Sequence, residues 1–374
     1  MSAIYKKLEE VCEILDSRRV PITVKNRKTG IYPYYGANGL QDYVAEYIFD
    51  DELVLLAEDG GNFGSKERPI AYRVSGKCWV NNHAHVLKAK PLVNADYLCY
   101  ALMFYDTEGL VNGATRQKLT QTAMRQMMIP YRNMTEQLQI ADEINQVIRL
   151  IDKRKEELSL LDQLVKSRFI EMFGSGRYPT VIASEVCDFI TKGTTPPTGE
   201  ITEKYEIGMI PYLKVYNLSF TGELLFDNMP QYISADTHNK QLARSKVLPN
   251  DVLMNIVGPP LGKFSLVTDE FSEWNINQAI AIFRAKDRVL PRYLMAALMQ
   301  PNVLRPFLEQ AVGIRQLNLS LEQCRNLEFP LPPIEEQRAF VELSEQTDKS
   351  KLAVEKSLKQ LEILKKSLMQ QYFS

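Results

Sequence analysis

The chain has 374 residues, of which 45% are apolar and 24% are charged, and its formal net charge is −1 at pH 7. This composition is typical of a folded protein with enough sequence for two domains, and it excludes a disordered chain. A protein that grips DNA alone usually carries surplus positive charge, so the balance argues against that class unless basic residues cluster or a partner supplies them.

The sequence also bounds the cellular setting. No apolar run approaches the roughly 18 residues of a membrane span, and the first residues lack the apolar core of a signal peptide. The five cysteines stand apart, at positions 12, 78, 99, 187 and 324. We therefore expect unpaired thiols in a cytoplasmic protein, with neither a disulfide framework nor a zinc site.

The first predicted domain covers residues 1–132. Its short apolar runs, at 47–49, 53–56 and 84–87, are separated by turn signals such as 59–61. This pattern favours short β-strands, with a short helix following at about 95–104.

A long helix is predicted next, over residues 133–174. Apolar residues such as Ile140, Ile144, Val147 and Ile151 recur at alternating spacings of three and four, and Gly174 ends the run. This spacing is typical of a coiled-coil seam. The helix would be about 60 Å long.

The second half repeats this plan, with a β-rich domain predicted at 175–332 and a helix at 333–374. Phe340, Val354, Leu361 and Leu368 keep the heptad phase. Since each helix is too one-sided to be stable alone, the two are expected to pack together as an antiparallel coiled coil. The alternative is that each docks on its own domain or on another chain. The predicted fold class is therefore α+β.

Short motifs recur about 200 residues apart. Such doubling indicates two similar modules and a target with two parts. The matched segments are Arg116-Gln117 with Arg315-Gln316, Pro130 with Pro330, Glu136-Gln137 with Glu336-Gln337, Tyr97-Leu98 with Tyr293-Leu294, and Glu10-Val11-Cys12 with Glu185-Val186-Cys187.

No catalytic motif is convincing. Residues 258–264 approach a phosphate-binding loop, but Phe264 replaces the required hydroxyl and two prolines remove amide donors. The Pro-Pro pairs do not match the motif of DNA adenine methyltransferases. His83 and His85 form a minimal metal pair on a predicted strand, but without nearby ligands a structural or DNA-facing role is favoured.

The junction before the second helix resembles one family, the specificity subunits of type I restriction–modification systems. It reads Gly313-Ile-Arg315-Gln316-Leu-Asn318-Leu-Ser320, then Phe329-Pro330-Leu331-Pro332-Pro333, then Ile334-Glu335-Glu336-Gln337. The stretch from Thr191 to Pro196 is similar to the opening of a recognition domain in this family. The first half differs from the family pattern at Ile129-Pro130-Tyr131-Arg132 and at 17–21. Individual contact residues therefore cannot be matched to the family there, but the repeat is still recognisable.

The resemblance implies a non-catalytic DNA reader. Two target recognition domains would each read half of a bipartite DNA sequence, and the helices would hold them a fixed distance apart. The helices would also dock two methyltransferase subunits, which carry the S-adenosylmethionine, and two motor–nuclease subunits would join a full restriction complex. No cofactor or metal is expected in this chain.

Candidate DNA contacts are polar or aromatic residues suited to base edges and backbone, although the same types also serve turns and caps. In the first domain they are Tyr34, Tyr35, Asn38, Asn82, His83, Arg116 and Gln117. In the second they are Lys192, Thr194, Thr195, Tyr216, Asn217, Arg315, Gln316 and Asn318.

Two other functions stay open at this point. One is a nuclease or methyltransferase acting alone, which the absent motifs disfavour. The other is a non-catalytic coiled-coil scaffold that binds other proteins, which the balanced charge would allow.

Overall fold

The computed structural model describes residues 4–113, 117–197, 199–309 and 317–373. Two compact units make up the chain: Met1–Lys155 with Lys356–Ser374, and Glu156–Glu355. Each unit contains one β-rich domain and a segment of each long helix. No helix in the described ranges is long and apolar enough to cross a membrane.

The first unit is built mainly of short strands. The strands are β1 (Ile4–Lys7), β2 (Cys12–Ile14), β3 (Thr29–Gly36), β4 (Gly39–Val44), β5 (Phe49–Ala57), β6 (Ala71–Val80), β7 (Ala84–Ala89), β8 (Val111–Asn112), β9 (Lys118–Leu119) and β10 (Met128–Tyr131). The helices are α1 (Leu8–Val11), α2 (Ala95–Met103), α3 (Gln121–Arg125) and α4 (Met134–Phe173).

A six-stranded sheet with the order β2-β7-β5-β6-β3-β4 forms the body of this domain. Its neighbours are antiparallel except β3 and β6, which run parallel. The central run Leu53, Val54, Leu55 and Leu56 on β5 is fully buried. Because successive side chains of a strand point to opposite faces, this unbroken apolar run shows that both faces are covered. Val54 and Leu56 pack in the core that includes α2, and Leu53 and Leu55 pack in the opposite one.

The second unit repeats the same plan in more pieces. Its strands are β11 (Thr180–Ile182), β12 (Cys187–Lys192), β13 (Ile210–Leu213), β14 (Tyr232–Ile233), β15 (Lys246–Val247), β16 (Val252–Asn255), β17 (Phe264–Leu266), β18 (Trp274–Ile276), β19 (Ile280–Ala285) and β20 (Glu328–Pro330). Its helices are α5 (Ala183–Val186), α6 (Ala235–Asn239), α7 (Pro291–Leu298), α8 (Pro301–Glu309), α9 (Leu321–Arg325) and α10 (Ile334–Phe373).

Two four-stranded sheets form the second domain, with the orders β12-β19-β16-β17 and β14-β13-β18-β15. The parallel pair of β13 with β18 corresponds to the parallel pair of β3 with β6. The pair β11-β20 likewise corresponds to β1-β10. The predicted α+β fold with two repeated domains is therefore confirmed.

A buried glutamine fixes the start of α4 to the first domain. The Gln137 side chain is fully buried. Its Oε1 accepts a hydrogen bond from the Asn94 amide at 2.9 Å, and its Nε2 donates to the carbonyls of Leu92 at 3.1 Å and Arg132 at 2.8 Å. One side chain thus satisfies three backbone groups where helix, domain and α2 meet.

Gln337 makes the same joint at the start of α10. It accepts from the Leu290 amide at 2.9 Å and donates to the carbonyls of Arg288 at 3.1 Å and Pro332 at 2.9 Å. The repeated Glu-Gln pairs of the sequence are explained in this way. The repeated Tyr and Pro residues are a second joint of this kind: each tyrosine hydroxyl donates to a proline carbonyl, Tyr97 to Pro130 at 2.8 Å and Tyr293 to Pro330 at 2.6 Å.

Segments of the two long helices contact each other within each unit. In the first unit, Ile140 and Ile144 of α4 share a core with Met369 of α10, and the Tyr372 hydroxyl donates to Glu143 at 2.7 Å.

In the second unit, Phe169 of α4 packs edge-on against Phe340 of α10, with ring centroids 5.4 Å apart. Lys351 forms an ion pair with Asp162. Because the partner number falls as the α4 number rises, these two segments run antiparallel.

We expect Gln137→Ala to lower the free energy of unfolding of the first domain by about 2 kcal/mol, since it removes three hydrogen bonds made by a fully buried side chain. Urea unfolding of the full chain measures this. Gln139→Ala is the matched control, because Gln139 lies on the same helix turn and is exposed. Equal destabilisation by both substitutions would contradict the joint.

Candidate nucleic-acid interface

Five predicted contact residues of the first domain converge on one surface, which we name the first loop surface: Tyr35, Asn38, Asn82, His83 and Gln117. The Asn38 amide donates to the Gly60 carbonyl at 3.0 Å, and the Gly60 amide donates to the Gln117 carbonyl at 3.2 Å. The Glu58 amide donates to the His83 carbonyl at 2.9 Å. Asn38, Asn82 and Gln117 are exposed, while Tyr35 and His83 are half-buried.

An asparagine turn holds the centre of this surface. The Asn81 amide donates to the Tyr35 carbonyl at 3.0 Å, and the Asn81 side chain accepts from the His83 amide at 2.8 Å. Asn277 repeats both bonds in the second domain, its amide donating to the Leu213 carbonyl at 3.0 Å and its side chain accepting from the Ala279 amide at 3.2 Å. The two domains therefore shape this edge with the same local chemistry.

The corresponding edge of the second domain carries Lys192, Thr194, Thr195 and Asn318, which we name the second loop surface. Tyr216 is half-buried, and its hydroxyl is shielded from solvent. The Gly193 amide donates to the Ile280 carbonyl at 3.0 Å, and the Leu319 amide donates to the Ile256 carbonyl at 2.9 Å. These bonds bring the ends of β12, β16 and β19 together with the 317–319 segment. Lys192, Thr195 and Asn318 are exposed.

Gly193 permits a close approach between two strand ends at this surface. A Cβ atom there would lie 2.1 Å from the Asn277 carbonyl oxygen and 2.3 Å from that of Ile276. Since backbone atoms cannot yield as a flexible side chain can, only glycine fits without moving the loop.

Two predicted contact residues are buried instead. Tyr34 is only 1% exposed, and the Arg27 guanidinium lies 4.1 Å from its ring centroid. Asn217 is fully buried, where it accepts from the Lys214 amide at 2.9 Å and donates to the Leu225 carbonyl at 3.2 Å. Packing and turn formation account for both side chains, so neither belongs to the loop surfaces. Arg116, Arg315 and Gln316 lie outside the described residues.

A basic segment leads into the first loop surface, although the net charge of the whole chain does not reveal it. Residues 17–41 contain no Asp or Glu but five cationic side chains: Arg18, Arg19, Lys25, Arg27 and Lys28. Lys25 and Lys28 are exposed, and neither forms an ion pair with any residue in the described ranges. Arg19 and Arg27 pair with carboxylates outside the segment. The exposed cationic side chains of the segment are Arg18, Lys25 and Lys28.

The two histidines each face a carboxylate. His83 Nδ1 lies 2.6 Å from Asp59 Oδ1, and His85 Nδ1 lies 2.6 Å from Asp16 Oδ2. Asp16, Glu58 and His85 are close enough together for a metal ion. However, Glu58 is already neutralised by the cations of two residues in the same cluster, Arg19 at 2.6 Å and Lys118 at 2.9 Å. The geometry is that of a buried ion-pair network.

The thiols show no sign of activation. All five cysteines are free and buried. Burial raises the pKa of Cys12, Cys187 and Cys324 to about 12 and that of Cys78 to about 11. A thiol of this kind stays protonated and is a poor nucleophile.

Sequence reasoning missed three features of these surfaces: the basic segment, the Asn81 and Asn277 turns, and the ion-pair network around His85. A count of acids over 17–41 would have found the first. The other two join residues far apart in the chain, so no local pattern reveals them.

Comparison with known proteins gives a consistent result. The family model described as the type I restriction modification DNA specificity domain matches twice, at residues 4–160 and 180–363. The chain is 25% identical to a putative type I restriction enzyme specificity subunit of Haemophilus influenzae, over 98% of this chain and 94% of that protein. It is 21% identical to the MjaVIII specificity subunit of Methanocaldococcus jannaschii, covering 97% and 90%.

Solved structures share the fold. A crystal structure of the type I restriction–modification S subunit from M. genitalium superposes with a TM-score of 0.59 at 12% identity, covering 100% of this chain and 96% of that one.

His238, behind the second loop surface, predicts a pH effect. Its Nδ1 accepts from the Asn275 amide group at 3.0 Å and its Nε2 faces Glu273 at 3.2 Å, which suits a neutral ring. Burial, together with Lys246, lowers the pKa of His238 below 6.5. The unfolded chain therefore binds a proton first as the pH falls, and stability is lost below pH 6.5, by at most about 1.4 kcal/mol per pH unit.

Urea unfolding between about pH 5.5 and pH 7.5 measures this effect. We expect His238→Asn to flatten the pH dependence of the second domain's unfolding free energy, while a substitution at the exposed Asn228 leaves it unchanged. A slope that is identical in His238→Asn and the parent chain would disprove the assignment.

Proposed function

Because the chain belongs to the family of type I restriction–modification specificity subunits, we propose that it selects the DNA site for a multisubunit adenine methyltransferase. As a specificity subunit it is non-catalytic. The observation that carries the proposal is that the same DNA specificity domain is matched once in each half of the chain. Each domain would read one half of a bipartite, asymmetric target.

The loop surfaces are the proposed reading elements. Amide side chains can hydrogen-bond both N6 and N7 of adenine, and lysine can donate to guanine. Exposed Asn38 and Gln117 on the first surface, and Lys192 and Asn318 on the second, have this chemistry. Tyr35, Asn82, His83, Thr194 and Thr195 complete the proposed contact set, and Arg116, Tyr216, Arg315 and Gln316 remain candidates by sequence.

Affinity would be shared with partners. The basic segment at 17–41 gives the first domain a path along phosphates, but the net charge of −1 is low for a protein that holds DNA unaided. We expect two methyltransferase subunits to provide the rest of the clamp, to carry the S-adenosylmethionine and to flip the target adenine. Two motor–nuclease subunits would join a restriction complex, all in the cytoplasm.

The long helices are proposed to form one antiparallel coiled coil that sets the spacing of the half-sites and docks the methyltransferase subunits. Helix–helix contacts within each unit support this, Glu143 with Tyr372 in the first and Asp162 with Lys351 in the second. A coiled coil of about 60 Å would span somewhat less than two turns of duplex DNA, at about 34 Å per turn.

Genome-wide mapping of methylated adenine in the source organism, with and without this gene, tests the function. We expect methylation to vanish at one bipartite motif with an unread central gap. Expression of the partner methyltransferase is the control. An unchanged methylome in its presence would instead favour the scaffold function.

The proposal that the helices set the spacing of the half-sites is tested by inserting four helix-forming residues in both helices. The insertions follow Lys155 in α4 and Glu355 in α10, where the two units meet in the chain. Each unit then keeps its own helix contacts. Four residues add about 6 Å, so the unread gap in the methylated motif should lengthen by one to about two base pairs. The control places the same insertion after Phe373. Persistent methylation with an unchanged gap would show that helix length does not set the length of the unread gap.

A further inference from the structure

A buried histidine lies between two hydrogen-bond acceptors beneath the first loop surface. His85 is 1% exposed. Its Nδ1 lies 2.6 Å from Asp16 Oδ2, and its Nε2 lies 2.9 Å from the carbonyl oxygen of Leu119. A carbonyl oxygen can only accept, so Nε2 must donate.

Asp16 is an acceptor on both of its oxygens. Oδ1 accepts from the Val86 amide at 2.9 Å, and Oδ2 accepts from the Gln121 side chain at 2.9 Å as well as facing His85. Although burial alone would raise the pKa of Asp16, the hydrogen bonds from His85, Val86 and Gln121 lower it, so the carboxyl is ionised. Nδ1 of His85 must therefore also donate, and the ring carries both protons as a buried cation.

The charges around this ring are balanced by residues from several elements. Glu58 Oε2 lies 3.7 Å from Nδ1, and Glu58 in turn pairs with Arg19 at 2.6 Å and Lys118 at 2.9 Å. Two carboxylates thus face three cations across the cluster. Burial of so many charges is tolerable only because each is paired and hydrogen-bonded.

The network holds the strand that presents Gln117. Leu119 is fixed at its carbonyl by His85 and at its amide by the Glu58 carbonyl at 2.7 Å, while Lys118 is fixed through its side chain. Gln117 precedes these two residues directly and is exposed.

The second domain has no such cation at the equivalent place. His85 follows Asn81 by four residues, and Ala281 follows Asn277 by four, on the strand that pairs with β16 as β7 pairs with β5. Ala281 is fully buried and cannot ionise. The second loop surface therefore forms without a histidine at this position, and it serves as the control for the first loop surface in the same molecule.

We infer that His85 is a positioning residue for DNA reading by the first domain: as a buried cation it fixes the strand that carries Gln117. The inference rests on the proposed function, because it assigns Gln117 to the reading surface. Loss of the Leu119 bond would let the strand move and would relax discrimination in one half-site only. Discrimination in the other half-site would stay the same.

Two substitutions distinguish the contribution of the Asp16 bond from that of the Leu119 bond. The amide of asparagine in His85→Asn reaches about as far as Nδ1 and keeps a donor for Asp16, but it falls short of the Leu119 carbonyl. The longer His85→Gln places its amide near Nε2 and can restore that bond. A role in core packing or in pairing Asp16 predicts that asparagine is the better replacement, whereas the positioning role predicts glutamine.

The experiment uses the full chain assembled with its methyltransferase subunits and a duplex carrying the methylated motif. Competition binding compares this duplex with two others, each carrying one base change in the half-site of the first or the second domain. We expect His85→Asn to lower discrimination in the first half-site about tenfold, or about 1.4 kcal/mol. His85→Gln should retain most of it, and neither variant should alter the second half-site.

His238→Asn in the second domain is the matched control, since it replaces a buried histidine and should leave the first half-site unaffected. Full discrimination by His85→Asn, or an equal loss in both half-sites, would overturn the inference. A parent complex that discriminates in neither half-site would refute the proposed function itself.

If His85→Asn does not assemble, His85→Gln is compared with the parent complex alone. Discrimination in the first half-site should stay close to that of the parent, because the longer amide restores the Leu119 bond. A loss of about tenfold in that half-site would overturn the inference.

Discussion

The attachment of each long helix to its domain depends on one buried amide side chain. Gln137 and Gln337 lie where the chain leaves the last strand of each domain, and each side chain hydrogen-bonds one backbone amide and two backbone carbonyls. Because an amide has a donor end and an acceptor end in a fixed plane, it sets the direction in which the helix departs. The orientation of each long helix relative to its domain is therefore set only as firmly as this joint is held.

The loop surfaces take their shape from strand ends rather than from long loops. Parallel pairing of β3 with β6, and of β13 with β18, places the ends of non-adjacent segments side by side. The Asn81 and Asn277 turns then close the same edge in both domains. Backbone hydrogen bonds thus hold the strand ends from which exposed residues of both loop surfaces extend.

The two domains share a scaffold but differ in what stabilises it. The first places a buried ionic network beneath the first loop surface, with His85 at the centre, and the second places the apolar Ala281 at the equivalent position. Charge is also unevenly distributed along the chain, because residues 17–41 contain five cationic and no acidic side chains while the net charge is −1.

The sequence by itself determined the repeat, the α+β class, the two long helices and the absence of a catalytic motif, because periodicity and spacing are local properties. It also proposed Asn38, Gln117 and Asn318 as DNA contacts, and the structure shows that all three side chains are exposed. It could not tell that Tyr34 and Asn217 are buried, since polar side chains that cap turns look the same in sequence as those that face a partner. Only the tertiary structure brought Asp16, Glu58 and His85 together. Their hydrogen-bond partners lie as many as 105 positions away in the sequence, which no linear pattern encodes.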